Sequence, residues 1–475
     1  MADGYARATG RPGVAFVVPG VGVYNAGAGL ATAWAASSPV LLVAGQVNRD
    51  GIGRSLGLLH EIDDQLDVVR PVTAWQQRVL EAGAIPGAVH EAMARLRRGR
   101  RRPVEIEMPP EAFAEEAGVG LLDAAPDVRE AADPDAVARA AAALSAAERP
   151  LVWAGGGVVL GDASPALTAV AEFLQAPVVT TRQGKGAIDD RHPLSVGTAW
   201  VNRRVQPVVD DADVILAVGT HFASSGARPD QTVVHVDVDA DEIGRHFPGA
   251  IPVVGDAAPT LEAVLAALQK LGDPRPSRTQ ETTAMRARIE EQLRAVGPQA
   301  AMVETLRAAL PDDTVVVACT TTMAYMCHMY FPVYEPRTYL STSYMGTLGF
   351  AFPAALGVKV GRPDRPVVCV TGDGGFLFAA TELATAVQHG INVVTVVYND
   401  NAYGNSNRDQ RERFGGREIG TVLHNPDFAR FAESFGADGV KLGDPRELAD
   451  ALPEAIGNDR PTVVEVPMER LPSPF

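Results

Sequence analysis

Asp373 follows an apolar run in Val-Val-Cys-Val-Thr-Gly-Asp-Gly-Gly-Phe, residues 367–376. Asp400 follows a second in Ile-Asn-Val-Val-Thr-Val-Val-Tyr-Asn-Asp-Asn-Ala-Tyr-Gly, residues 391–404. Both runs are rich in β-branched residues and read as strands, and the stretch between them, ending at Gly390, reads as a helix. In an open parallel sheet ligands bind beyond the carboxyl ends of the strands. Neighbouring strand ends then set Asp373 and Asp400 around one point. Gly374 and Gly375 let backbone N–H groups approach an anion where the next helix begins. Hard oxygen ligands beside a phosphate cradle suit Mg²⁺, which prefers octahedral oxygen and completes its shell with phosphate. The carbonyl of Ala402, just past the second strand, is a natural third protein ligand. Singly, Asp373 would be a helix cap and residues 399–401 a turn. The strand–GDGG–helix–strand–NDN combination is far more specific than its pieces.

On these residues the sequence resembles the thiamine diphosphate-dependent enzymes of the acetolactate synthase and pyruvate-type decarboxylase group. Their signature is Gly-Asp-Gly, a helix and strand, then paired Asn. Here it is Gly372-Asp373-Gly374 and Asn399-Asp400, with Asp400 where the second Asn usually lies. The resemblance implies Mg²⁺ held by Asp373, Asp400 and the Ala402 carbonyl, bridging to the cofactor diphosphate. Residues 346–357, GTLGFAFPAALG, are similar to the family's GTMGFGLPAAIG. By that match the Gly346 carbonyl accepts from the cofactor's 4′-amino group, and Leu348 is the bulky residue that holds the aminopyrimidine over the thiazolium. Thr321 and Thr322 fall where the family places polar contacts to the diphosphate.

Residues 1–7, MADGYAR, and 19–25, PGVGVYN, resemble the family's MAxGYAR and GPGxxN, with Val21 in place of the usual Pro. Gly22 and Asn25 would line the pyrimidine pocket. His60-Glu61-Ile62-Asp63 falls where acetolactate synthases carry Phe-Gln-Glu beside the substrate. His60 is thus the candidate catalytic side chain, and read alone it is equally a surface-loop histidine. The family's glutamate that activates the cofactor through N1′ would lie six positions before Met1. The expectation is that Met1 is an internal methionine or the chain a truncated one, with a further strand–helix unit ahead of it. The alternative is a catalytically silent relative that binds the cofactor.

By resemblance the substrate is a 2-oxo acid, which loses CO₂ and is captured by a proton or a second carbonyl, acetolactate synthase-like ligation being the preferred outcome. A homodimer or homotetramer with the site between subunits is implied. FAD occurs in the middle block of some relatives. The turn Gly155-Gly156-Gly157 permits it without indicating it and reads better as a structural turn. A nicotinamide dehydrogenase would need an acidic strand end much nearer that turn than Asp237 and Asp239. A phosphatase using Asp373 as nucleophile would need a Lys or Arg beside it, and the sequence has none there.

These motifs need elements to hold them. The chain has 475 residues, 46% hydrophobic and 21% charged, enough for two to four domains. With 42 Lys and Arg against 58 Asp and Glu, the net charge of −16 argues against a nucleic-acid binder. Three cysteines form neither a disulfide framework nor a zinc pattern, so a reducing cytoplasm is expected. Residues 13–48 carry no charge, but Pro19, Pro39 and several glycines break the run, so no membrane span is expected. It reads as strand 13–18, helix 26–36 and strand 40–44, both strands lacking alternation as in a sheet covered on both faces. Strand-like and helix-like runs alternate almost throughout, which predicts an α/β fold of three doubly wound parallel-sheet domains. Their expected bounds are 1–118 (pyrimidine-binding), 135–272 (central) and 300–475 (diphosphate-binding). Connectors are expected at 111–134 and, as a surface helix, within 273–299.

Overall fold

The computed structural model describes residues 1–199, 201–458 and 460–475. Among these residues, strands form three sheets in which every pairing is parallel. The first sheet holds β1 (Gly13–Val17), β2 (Val40–Gly45), β3 (Trp75–Arg78) and β4 (Val104–Met108), in the order β1-β2-β4-β3. The second holds β5 (Pro150–Ala154), β6 (Val178–Thr180), β7 (Ser195–Thr198), β8 (Val214–Val218), β9 (Thr232–Asp237) and β10 (Ile251–Val254), in the order β10-β9-β8-β5-β6-β7. The third holds β11 (Val315–Ala318), β12 (Tyr339–Ser341), β13 (Val367–Gly372), β14 (Val394–Asn399), β15 (Asp438–Lys441) and β16 (Thr462–Pro467), in the order β12-β11-β13-β14-β16-β15. The expected fold class, three parallel-sheet α/β domains, is the one observed. Among the described residues no helix is long and apolar enough to cross a membrane.

The chain forms two compact units. One comprises Met1–Val128 with Thr342–Thr347 and Val360–Arg362, and the other comprises Arg129–Ser341, Leu348–Lys359 and Pro363–Phe475. The first sheet lies in the first unit, and the second and third sheets lie in the second. Two late segments are tied into the first unit by specific contacts. Thr347 Oγ1 lies 2.6 Å from Thr32 Oγ1, and Ser343 Oγ donates to the Ala35 carbonyl at 3.0 Å. Gly361 sits so close to Tyr5 and Thr9 that a Cβ there would come within 2.6 Å of the Thr9 methyl.

Central strands such as β5, β8 and β13 are buried at every residue. That is why their apolar runs lack alternation. β1 departs from expectation. Its residues alternate, with Phe16 75% exposed, because β1 is the edge strand and one face of it is uncovered. The helix after it spans Val21–Ala35, starting ahead of the expected position. Gly20 adopts a left-handed φ of 55°, and its N–H donates to Gln65 Oε1 at 2.8 Å, so the chain turns there without the loop expected over residues 19–25. The connector after β4 contains a short helix, Pro110–Ala114, and then no element until the helix Pro134–Ala146. The expected surface helix is Thr279–Arg294.

Two buried carboxylates face one layer of the first sheet. Glu107 accepts from Gln65 Nε2 at 2.9 Å and pairs with Arg78. Among the described residues Glu105 accepts from Gln76 Nε2 alone, at 3.3 Å, and its buried Oε1 has no partner. Burial, and then the charge of Glu107, push Glu105 up to about 8. The folded protein therefore keeps a proton on Glu105 that the unfolded chain releases above the ordinary carboxylate range. This contribution to stability is full below that range and is lost as pH rises toward about 8. Glu105→Gln, which cannot ionise, should match the wild type at about pH 4 and exceed it by about 4 kcal/mol at about pH 9. Denaturant unfolding at the two pH values measures the difference, and parallel pH dependences would exclude this role for Glu105.

Candidate cofactor and metal site

The strands β11, β13 and β14 are adjacent and parallel, so their carboxyl ends meet along one edge of the third sheet. Each leads into a helix: Thr322–Tyr330 after β11, Asp373–Leu377 after β13 and, past a short loop, Gly404–Arg413 after β14. Thr321 caps the first of these, its Oγ1 accepting from the Ala324 N–H at 3.2 Å, and Thr322 is buried behind it. Unpaired N–H groups at helix starts favour negative charge.

Asp373 is 2% exposed. Its Oδ2 accepts from the Ala402 N–H at 3.2 Å and from Asn425 Nδ2 at 2.6 Å. The same Ala402 N–H lies 3.2 Å from Asp400 Oδ1, so one backbone group stands between the two carboxylates. Burial raises Asp373 above the usual carboxylate range. Burial, then the charge of Asp373, raises Asp400 to about 6. No lysine or arginine forms an ion pair with either among the described residues. Two hard, mutually repelling oxygen donors with a backbone segment between them fit a divalent cation such as Mg²⁺, which would remove that repulsion. Among the described residues no cluster of three His, Cys, Asp or Glu side chains suggests a metal site. A cation here would rely on two carboxylates and a main-chain carbonyl.

The glycines are packed closely into this edge. A Cβ on Gly372 would come within 2.9 Å of Thr321 Cγ2, and one on Gly374 within 2.5 Å of the Tyr403 ring. A Cβ on Gly375 would lie 3.8 Å from Leu348 Cδ1, which sets the 39%-exposed Leu348 beside the start of the Asp373 helix. Thr321, Thr322, Leu348, Gly372, Asp373, Gly374, Gly375, Asp400 and Ala402 all belong to the second unit. The other candidates, Gly22, Asn25, His60 and Gly346, belong to the first. Gly22 and Asn25 lie in the opening turns of the helix Val21–Ala35, with Asn25 exposed. Gly346 is exposed and has a left-handed φ of 65°. His60 is half-buried, its backbone against Gly20, and its ring has no hydrogen bond or ion pair among the described residues.

Asn425 escaped the sequence reading. Its amide bridges Asp373 and Asn399, donating to Asn399 Oδ1 at 2.8 Å, while its own buried Oδ1 has no partner among the described residues. It is placed by residues 421–423, which run antiparallel to the β14 loop: Tyr403 N–H donates to the Thr421 carbonyl and Leu423 N–H to that of Asn401, both at 2.8 Å. Asn399 is held from behind by Glu465, whose Oε1 accepts at 2.9 Å. In the second sheet, the Gly155–Gly157 turn is filled by protein. Gly157 N–H donates to the Gly219 carbonyl at 2.9 Å, and a Cβ on Gly155 would come within 2.1 Å of that same oxygen.

Comparison with known proteins finds the same three-part order. Residues 1–68 match the N-terminal TPP binding domain of thiamine pyrophosphate enzymes, 137–264 the central domain and 319–466 the C-terminal TPP binding domain. The chain is 33% identical to a Pseudomonas aeruginosa protein named "Probable 2-ketoarginine decarboxylase AruI", over 98% of this chain and 84% of that one. It is 32% identical to a Methanocaldococcus jannaschii protein named "Probable acetolactate synthase large subunit", covering 99% and 84%. The acetolactate synthase isozyme 3 large subunit of Escherichia coli is 31% identical, covering 99% and 86%. With this coverage added to the motif order and the paired carboxylates, the chain belongs to the thiamine pyrophosphate enzyme family.

Proposed function

We propose that the enzyme acts on a 2-oxo acid, releasing CO₂ and passing the remaining acyl fragment to a second carbonyl compound, as in acetolactate synthases. The observation that carries this reading is the Asp373–Ala402–Asp400 arrangement at the ends of adjacent strands. When bound, thiamine diphosphate supplies the electron sink that decarboxylation requires. In this reading Asp373, Asp400 and the Ala402 carbonyl hold Mg²⁺ against the diphosphate. Thr321, Thr322 and the backbone of Gly372, Gly374 and Gly375 bind its oxygens. Leu348 supports the ring system, and Gly22, Asn25 and Gly346 line the pyrimidine pocket. His60 faces the substrate and holds or gives a proton. The functional form is a homodimer or homotetramer in the cytoplasm, and FAD has no assigned role.

The 33% identity to the protein named as a 2-ketoarginine decarboxylase favours a second reading, in which a proton captures the fragment. The test supplies thiamine diphosphate, Mg²⁺ and either pyruvate or 2-ketoarginine, and follows both CO₂ and carbon product. Acetolactate from pyruvate supports ligation, and CO₂ with an aldehyde from 2-ketoarginine supports the second reading. Tight cofactor binding with no CO₂ from any 2-oxo acid tested would overturn both.

A further inference from the structure

Lys185 is a buried cation outside the site just described. It is 4% exposed, and its ammonium makes one hydrogen bond, a long one of 3.3 Å to Thr198 Oγ1. The Tyr339 ring lies 5.5 Å away, and no carboxylate forms an ion pair with Lys185 among the described residues. Asp190 is the acidic group that acts on it, but both of its oxygens are engaged. Oδ1 accepts from Ser195 Oγ at 3.0 Å and Oδ2 from the Val333 N–H at 2.8 Å. An ammonium has three N–H donors, so two remain unused in a place where an unpaired charge is costly.

Lys185 lines a cavity of about 330 Å³, within the range of small-molecule sites. Its walls come from β7, the helices Thr279–Arg294 and Pro298–Ala308, and the end of the helix Thr322–Tyr330. None of its lining residues belongs to the cofactor site. The lining also has an aliphatic part, with Ile289, Leu293, Val303 and Met329. A neighbouring hollow of about 450 Å³ shares Asp190, Arg286, Glu290 and Pro332 with it, which gives a route inward.

The arginines of the rim are already spent. Arg294 pairs with Glu304 at 2.9 Å, Arg286 donates to the carbonyls of Asp190 and His192, and Arg307 donates to those of Leu310 and Pro311. Asp190, Glu290 and Glu304 also line the cavity, so a dianion or a phosphate would meet more repulsion than Lys185, the one lining cation without an ion pair or a carbonyl partner among the described residues, offsets. A single negative charge on a hydrocarbon body suits the place. We propose that this cavity is a second ligand site, taking a short aliphatic monocarboxylate with its carboxylate on Lys185 and its chain against Ile289, Leu293, Val303 and Met329.

The test is calorimetric titration of the holoenzyme, saturated with thiamine diphosphate and Mg²⁺, using 3-methylbutanoate and its uncharged amide as probes. The acid should bind at least about tenfold more tightly than the amide. Lys185→Met should abolish that preference and leave basal turnover unchanged within about twofold. Because a buried-lysine variant can fail to fold, Ile289→Phe provides an independent check: it fills the aliphatic part of the lining and should block the acid with Lys185 intact. The proposal is overturned if the acid does not bind at about 10 mM, if acid and amide bind alike, if a folded Lys185→Met or Ile289→Phe variant binds like the wild type, or if the 2-oxo acid substrate displaces the probe competitively.

Discussion

Asp373→Ala lowers kcat/KM by about 10³-fold or more and removes measurable retention of thiamine diphosphate, while the apoprotein stays folded. The sign of each part follows from the site. The Asp373 carboxylate is buried, its proton affinity is raised by that burial, and its charge is what raises Asp400 to about 6. Deleting it removes a repulsive partner from the apoprotein, so apparent Tm should hold or rise. Asn425 keeps its bond to Asn399, so little of the polar frame is orphaned. A cation held as proposed would, by contrast, lose one of its two carboxylates. Calorimetry with Mg²⁺ and cofactor, set beside thermal unfolding of the apoprotein, separates these effects. A variant that binds cofactor like the wild type would remove Asp373 from the metal site.

Gly155→Ala should destabilise the protein by about 3 kcal/mol, because a new methyl would be driven into fixed main chain rather than into a side chain able to move. The added Cβ would lie 2.1 Å from the Gly219 carbonyl oxygen and 2.6 Å from Thr220 Cβ, at the end of β8. Gly155 N–H donates to the Val218 carbonyl at 2.8 Å, so the turn cannot back away without breaking the join between β5 and β8. An apparent Tm lower by about 6 °C or more is expected. Gly156→Ala makes the comparison, since its Cβ would meet only Gln183 Cβ, at 3.0 Å, and it should cost much less. Equal, small losses at both positions would mean that the turn is not held by this packing.

Which strands were legible follows from where they sit. Strands with neighbours on both sides, such as β5, β8, β13, β14 and β16, are buried Val-rich runs that announce themselves. The short or mixed runs of β3, β7, β10, β12 and β15 are all at sheet edges. An edge strand needs only one partner, so sequences such as Trp-Gln-Gln-Arg and Asp-Gly-Val-Lys suffice there. β1 shows the converse: its apolar run marked the strand but overstated its cover, since Phe16 faces outward. At the site, Asp373, Asp400 and Ala402 could be grouped because one strand–helix–strand unit fixes their spacing. Asn425 and Glu465 reach the same place through an antiparallel return and a later strand, and no local pattern encodes such distant pairing.

The first unit is begun early in synthesis and completed late. Its early sheet and the helix Val21–Ala35 receive their last contacts, at Thr32, Ala35 and Tyr5, from Thr347, Ser343 and Gly361. At ~5–20 residues per second, the ribosome needs on the order of ten to fifty seconds to travel from the end of the first segment to the last of these. During that interval the nascent first unit lacks those ties. Chaperone occupancy of the ribosome-bound chain is therefore expected to persist until residue 362 has emerged, well after the first sheet itself has been made.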